Sequence, residues 1–216
     1  MKLFKIHPSL IAIHVPKTAG STFKAVLENV YGWQLKHIYK HEDMHVWNNG
    51  LPYRSNKPLV EAVYGHIEAH PDWLKFYPKA KLIAWVRDPA DRVISAYYHW
   101  LKAGKGQDDR QKDFLKKKPD LLSFVKSEEY RLTVNAYQTY LGRIPAESYA
   151  FIGRTEHFEE DLKRLEAILH KKLPYTGREA NVNASKPEIS EDQRQQIRAL
   201  LEPEYSLYHK LLALHH

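Results

Sequence analysis

The segment from Leu10 to Phe23, Leu-Ile-Ala-Ile-His-Val-Pro-Lys-Thr-Ala-Gly-Ser-Thr-Phe, passes from an apolar β-branched stretch through a short polar turn into a helical pattern. A strand that hands directly onto a helix points to α/β architecture, because the helix must return over a sheet to bury its apolar face. Pro16 ends the extended run and Lys17 supplies a point charge. Gly20 lets backbone approach a ligand, and Ser21 and Thr22 put hydroxyls and N–H groups at a helix N-terminus, where anions are stabilised. The turn from Lys17 through Thr18, Ala19, Gly20 and Ser21 to Thr22 therefore reads as a loop that grips a phosphorylated nucleotide.

Further apolar runs at Leu10–Val15, Ala62–Tyr64, Lys81–Val86 and Tyr149–Ile152 have the near-continuous hydrophobicity of parallel strands covered on both faces. Helical patterns separate them. Phe23, Leu27 and Val30 repeat at helical spacing and stop at Gly32, and Asp88-Pro89 offers an N-cap and an N1 proline before Val93, Tyr97 and Trp100. Phe158, Leu162, Leu165 and Leu169 make another stripe, and Ser190 with Gln193 resembles a capping box before Ile197, Leu200 and Leu201. The expected fold is α/β, a P-loop-like central parallel sheet flanked by helices with a helical C-terminal region. The segment Gly104–Pro119, rich in Lys, Asp and Gln, reads as a mobile surface loop, its Lys116-Lys117-Lys118 run solvated.

With 216 residues and 43% hydrophobic content, the chain can bury one sizeable core, so residues 1–216 are taken as a single domain. Cysteine is absent, which excludes disulfides, thiolate metal sites and a cysteine nucleophile. No signal-like leader or membrane-length apolar stretch is present, giving the expectation of a soluble cytoplasmic protein without membrane partners. A formal charge of +7 implies anionic ligands. Nothing in the sequence interleaves basic and aromatic residues in the manner of nucleic-acid readout.

The order Gly-x-x-x-x-Gly-Lys of an ATP-type loop is missing, since Lys17 precedes Gly20, so an ordinary strand–helix turn remains an alternative for this motif. A second motif adds weight. Strand Lys81–Val86 ends in Arg87-Asp88-Pro89-Ala90-Asp91-Arg92-Val93-Ile94-Ser95-Ala96-Tyr97, placing Arg87 at a strand's carboxyl end, where such sheets bind ligands, and Ser95 on the next helix. A guanidinium and a hydroxyl make a phosphate clamp. The bland alternative pairs Arg87 with Asp91 and leaves Ser95 to pack. Two clamps, with no acidic strand to hold magnesium, point to a nucleotide phosphorylated at both ends of its ribose.

The pair Pro16-Lys17-Thr18-Ala19-Gly20-Ser21-Thr22 and Arg87-Asp88-Pro89-x-x-Arg92-x-x-Ser95-x-Tyr97 resembles the 5′-phosphosulfate and 3′-phosphate motifs of sulfotransferases, most closely the family 2 type that includes bacterial and Golgi carbohydrate sulfotransferases. Gly65-His66, Asn135 to Gly142, Ile152 to Phe158 and Asn181 to Ser185 are similar stretches in the same order along the chain. The resemblance implies transfer of a sulfuryl group from 3′-phosphoadenosine 5′-phosphosulfate (PAPS) to an acceptor hydroxyl, of a carbohydrate, with no metal required. On this reading Lys17 meets charge growing on the leaving phosphate and Thr18 to Thr22 cradle the 5′ group. Arg87 and Ser95 hold the 3′-phosphate, and Asn183 and Ser185 close over the nucleotide.

An acceptor hydroxyl must also lose its proton, a task suited to a neutral imidazole. His66 follows the Ala62–Tyr64 strand and matches a catalytic histidine of the family; Glu68 and His70 are the nearby rivals. Hexuronate-modifying relatives carry a further histidine two residues earlier, where this chain has Tyr64, which argues against a heparan-type acceptor. His37, His41 and His45 are spaced to share one face of a continuous helix and hold a metal, although a solvated or acceptor-facing segment suits them better. His14 reads as a hydrogen-bonded core residue. The competing functional readings are a P-loop kinase or NTPase and a noncatalytic nucleotide-binding module.

Overall fold

Because their side chains are apolar on both faces, the predicted strands can be satisfied only inside a covered parallel sheet, and the computed structural model builds one. It describes residues 3–56, 59–103, 109–175, 177 and 189–216. In chain order the elements are β1 (Phe4–Lys5), β2 (Leu10–Ile13), α1 (Gly20–Tyr31), β3 (Leu35–Ile38), α2 (His41–Asn48), β4 (Arg54–Ser55), β5 (Ala62–Gly65), α3 (Trp73–Phe76), β6 (Lys81–Val86) and α4 (Pro89–Lys102). Then follow α5 (Asp109–Lys117), α6 (Leu121–Lys126), α7 (Arg131–Val134), α8 (Ala136–Tyr140), β7 (Phe151–Arg154), α9 (Phe158–Leu169), α10 (Glu191–Leu200) and α11 (Glu202–His215). Five strands form one sheet in the order β3-β5-β2-β6-β7, every neighbouring pair parallel, while β1 and β4 make a small antiparallel ladder.

Alternation along the strands divides the core. Ile11, Ile13, Val63, Leu82, Ala84 and Ile152 face a cluster that includes Trp47 of α2, Trp73 of α3, Tyr137 of α8 and Leu211 of α11. Leu10, Ala12, Tyr64, Ile83, Trp85 and Phe151 face the other way, onto Phe23, Val26 and Leu27 of α1 and Leu162 and Leu165 of α9. A third cluster, built by helices without strand residues, joins Val93, Ile94 and Tyr97 of α4 to Phe114, Phe124 and Ile197.

The capping signals act as read. Asp88 accepts from the Asp91 N–H at 3.0 Å, Ser190 accepts from the Gln193 N–H at 3.2 Å, and Gly32, at φ 49°, stops α1. Leu200, placed in the last apolar stripe, is instead 41% exposed, and burial passes to Leu201 and Ile197.

Two further expectations are corrected. The segment Gly104–Pro119 is not simply a loop: its residues from Asp109 to Lys117 form α5, whose Phe114 is fully buried among Tyr97, Trp100 and Phe124. Within the basic run, Lys117 bridges Asp113 at 2.8 Å and Glu129 at 2.9 Å. Tyr149 lies before β7, its hydroxyl donating to the Leu141 carbonyl at 2.9 Å. The shared helix face already disfavoured for His37, His41 and His45 is not formed, since His37 belongs to edge strand β3 and His41 and His45 to α2. Strand β3 escaped detection because Lys36 and His37 interrupt its apolar ends, as befits a short sheet edge. No helix among the described residues is long and apolar enough to cross a membrane.

Since Phe114 anchors α5 to the helical cluster, Phe114→Ala should lower unfolding free energy by about 3 kcal/mol or more in a urea titration. A change within roughly 0.5 kcal/mol, the range of a surface substitution, would restore the loop reading.

Candidate active site

Register brings the functional segments to one edge. Ile13 is level with Gly65 on one side and Ala84 on the other, and Gly65 is level with Ile38. The chain therefore leaves β2 into His14 and the Lys17 loop, β3 into Tyr39, β5 into His66 and β6 into Arg87, all at the carboxyl edge of the parallel sheet. Gly65 is needed for that closeness, because a Cβ there would come within 2.0 Å of the Ile38 carbonyl oxygen.

The loop after β2 turns tightly. Lys17 and Ala19 both occupy left-handed backbone, at φ 73° and 58°, a conformation that costs a non-glycine residue on the order of 1 kcal/mol. Between them Thr18 is buried, its hydroxyl donating to the Val15 carbonyl at 2.8 Å. That hydroxyl holds the turn together, so the loop presents Thr18 through its backbone. Ala19 is the N-cap of α1 and offers no side-chain acceptor, and no acidic residue lies in the helix's first turn. The N-terminal N–H groups of this twelve-residue helix thus keep the positive end of its dipole uncompensated by side-chain charge. Ser21 is exposed there, Thr22 buried. The glycine has a reason beyond ligand access: a Cβ on Gly20 would lie 1.6 Å from His14 Nε2.

His14 is one of four rings that meet at this edge. Its Nδ1 lies 2.9 Å from the Tyr39 hydroxyl, its ring stacks on Tyr64 at 5.2 Å, and it meets His66 edge-on at 4.4 Å between centroids. Tyr39 packs against His66 at 5.0 Å, and Tyr64 donates to the Gly20 carbonyl at 2.7 Å. Burial pushes the His66 imidazole down to about 4. His14 is held well below its usual range, first by burial and then by the charges of His66, Lys17 and Lys24. Burial and then the Lys17 charge also lower His99 on α4. At neutral pH the two imidazoles are uncharged, and an uncharged imidazole can accept a proton.

Glu68 and His70 are occupied elsewhere. Arg143 reaches Glu68 at 3.3 Å, whose N–H donates to the Asn48 side chain at 2.9 Å, and His70 accepts from the Asp72 N–H at 3.2 Å while packing over Gly50. Only His66 of the three enters the ring cluster.

Arg87 caps β6, next to β2 in the sheet. It does not pair with Asp91, which is taken by Arg194 at 2.6 Å; among the described residues its ion-pair contact is Glu156 at 4.0 Å, with the side chain 26% exposed. A contact that long and partly solvated is weak. Ser95 lies on the buried side of α4. Asn183 and Ser185 fall outside the described residues. Sequence reading missed the partnership of His14, Tyr39 and Tyr64, and also Tyr137, whose hydroxyl bonds the Arg87 backbone. Periodicity carries no signal for such contacts, which join residues on separate strands and helices.

A mixed sheet-and-helix scaffold with an uncapped loop–helix junction, a strand-end arginine beside it and neutral imidazoles at the same edge is the setting for the comparisons with known proteins. The sulfotransferase family profile matches residues 3–210. A solved sulfotransferase from Alicyclobacillus acidocaldarius is similar in fold, with TM-score 0.54 and 16% identity over 96% of this chain and 95% of that one. A mouse sulfotransferase, SULT7A1 complexed with PAP, aligns with TM-score 0.48 and 11% identity over 97% of this chain and 86% of that one. No curated protein sequence matches significantly. With the profile spanning nearly the whole length and the α/β scaffold shared with a solved member, the chain belongs to the sulfotransferase family.

Proposed function

We propose that the protein transfers a sulfuryl group from PAPS to an acceptor hydroxyl, of a carbohydrate. The observation that carries this reading is the adjacency of β2 and β6, which sets the Lys17 loop and Arg87 side by side on one sheet edge. The donor chemistry fits an anion with two phosphate-bearing ends: α1 offers backbone N–H groups and Lys17 a charge, while Arg87 offers a guanidinium only loosely engaged by Glu156. In this assignment Lys17 and residues Thr18, Ala19, Gly20, Ser21 and Thr22 hold the 5′-phosphosulfate, and Arg87 with Ser95 holds the 3′-phosphate. Asn183 and Ser185 belong to the same proposal as residues that close over the nucleotide.

The reaction is substitution at sulfur. His66 takes the acceptor hydroxyl's proton as the oxygen bonds to sulfur. The bond from sulfur to the bridging oxygen breaks, and its electron pair stays on the 5′-phosphate, where Lys17 offsets the added charge. The ring cluster restricts His66 to a fixed orientation, the form in which a base contributes most.

Three measurements test this. Calorimetric titration in the presence of EDTA should give tight binding of 3′-phosphoadenosine 5′-phosphate (PAP) and weaker binding of 5′-AMP. Arg87→Ala should weaken PAP alone by about tenfold or more; equal affinity of the wild type for the two nucleotides would remove Arg87 and Ser95 from the site. Second, His66→Ala should reduce kcat by roughly 10²–10⁴-fold while PAP affinity holds. Wild-type turnover in that variant would reassign the base. Third, because burial holds His66 near 4 in the free protein, the acid limb of kcat/KM should lie near pH 4, well under the ordinary imidazole value of about 6.5. The same shift has a sign for stability: the unfolded chain takes the proton first, so His66's contribution is intact above about pH 6.5 and is lost as pH falls through about 4. His66→Gln should flatten that decline in urea titrations across the interval.

A further inference from the structure

Arg87, unlike Gly20, whose carbonyl alone accepts from buried Tyr64, has both its backbone N–H and its carbonyl bonded by one buried side chain. Its N–H donates to the Tyr137 hydroxyl at 2.8 Å, and that hydroxyl donates to the Arg87 carbonyl at 2.5 Å. One phenol thus fixes both peptide groups flanking the arginine, at the point where the chain leaves β6. Tyr137 is itself fully buried and doubly anchored. Its own N–H donates to Glu204 Oε2 at 2.8 Å and the Gln138 N–H donates to Glu204 Oε1 at 2.9 Å, so a carboxylate from α11 caps the start of α8. The Arg92 guanidinium lies 5.5 Å from the Tyr137 ring centroid, 4.0 Å from Glu204, and donates to the Val134 carbonyl.

Arg92 and Glu204 are both 0% exposed, and Arg92 Nε and Nη1 have no hydrogen-bond partner among the described residues. Burying such a pair costs more than a well-packed apolar substitute would, so its presence is poorly explained by stability. What it does accomplish is orientation. The pair fixes α8 against α4 and α11, and α8 delivers the Tyr137 hydroxyl to Arg87.

From this geometry we infer that Tyr137 is a positioning residue for the nucleotide site. It sets the direction in which Arg87 leaves the sheet, with Arg92 and Glu204 holding it in place, so that preference for a 3′-phosphorylated nucleotide depends on a hydroxyl that touches no ligand. The inference rests on the proposed role of Arg87 in holding the 3′-phosphate.

The test is calorimetric titration of PAP and 5′-AMP into the wild type, Tyr137→Phe, Arg87→Ala and the double variant, with urea unfolding of each. Tyr137→Phe keeps the ring and removes only the hydroxyl. It should lose PAP affinity on the order of tenfold with 5′-AMP affinity unchanged, and it should add little further loss in the Arg87→Ala background. Should Tyr137→Phe fail to fold, Glu204→Gln replaces it, keeping one acceptor for the α8 N–H groups while removing the charge that faces Arg92, with the same fall in the PAP to 5′-AMP ratio expected. A ratio that stays at the wild-type value in the folded variant, or equal weakening of both nucleotides together with lower stability, would overturn the positioning role and leave Arg87's own role standing. A wild type that does not prefer PAP would remove Arg87's role and this inference with it.

Discussion

Strand β2 is paired in parallel on both sides, and the rest of the architecture follows from that. Parallel pairing sends every strand's carboxyl end to the same edge, so residues drawn from four separate stretches of sequence gather there without any loop having to cross the sheet. Had either neighbour run antiparallel, its following segment would have left at the opposite end. The two-faced apolar pattern of the central strands permits this arrangement, because helices on both sides remove the strands from water.

At that edge, electrostatics and packing act on the imidazoles in the same direction. The cations and the uncapped α1 terminus raise the positive potential, and the ring cluster buries His14 and His66, so both stay neutral within it. Burial leaves His66 unprotonated in the resting protein, and at His14 burial is reinforced by the neighbouring positive charges. An incoming anion would reverse part of that bias, because negative charge beside an imidazole favours its protonated form. Nucleotide binding and the basicity of His66 would then be coupled.

Much of the scaffold was legible in the sequence because it is written locally. Asp88-Pro89, Ser190 with Gln193, and Gly32 mark helix ends through hydrogen bonds made within a few residues, and β6 announces itself by six successive residues that suit a covered strand. Strand β3 and helix α5 were not legible, for opposite reasons. In β3 a polar middle hides an edge strand, and in α5 a charged majority hides the single buried aromatic that docks the helix. At the site, residue types and spacing identified Lys17, Arg87 and His66 as candidates. They did not disclose that Thr18 spends its hydroxyl on Val15, that Gly20 is small because His14 lies against it, or that Arg87 is bonded by Tyr137 and not paired with Asp91. The Arg87–Tyr137 bond spans 50 positions and leaves no periodicity behind, while the Thr18 and Gly20 contacts are local but depend on the backbone path of the turn, which apolar patterning does not record.

The struts behind Arg87 reach far down the polypeptide. Glu204 bonds the N–H of Tyr137 across 67 positions, and the Tyr205 hydroxyl donates to Asp88 across 117. During synthesis on the ribosome the sheet and the Lys17 turn can form before those residues emerge, since the last strand of the sheet ends at Arg154, but the Glu204 strut behind the arginine must wait for α11. Closing such long loops is slow relative to local structure. The nascent chain therefore passes through an interval in which the Lys17 turn is built while Arg87 still lacks the support that reaches it from α11.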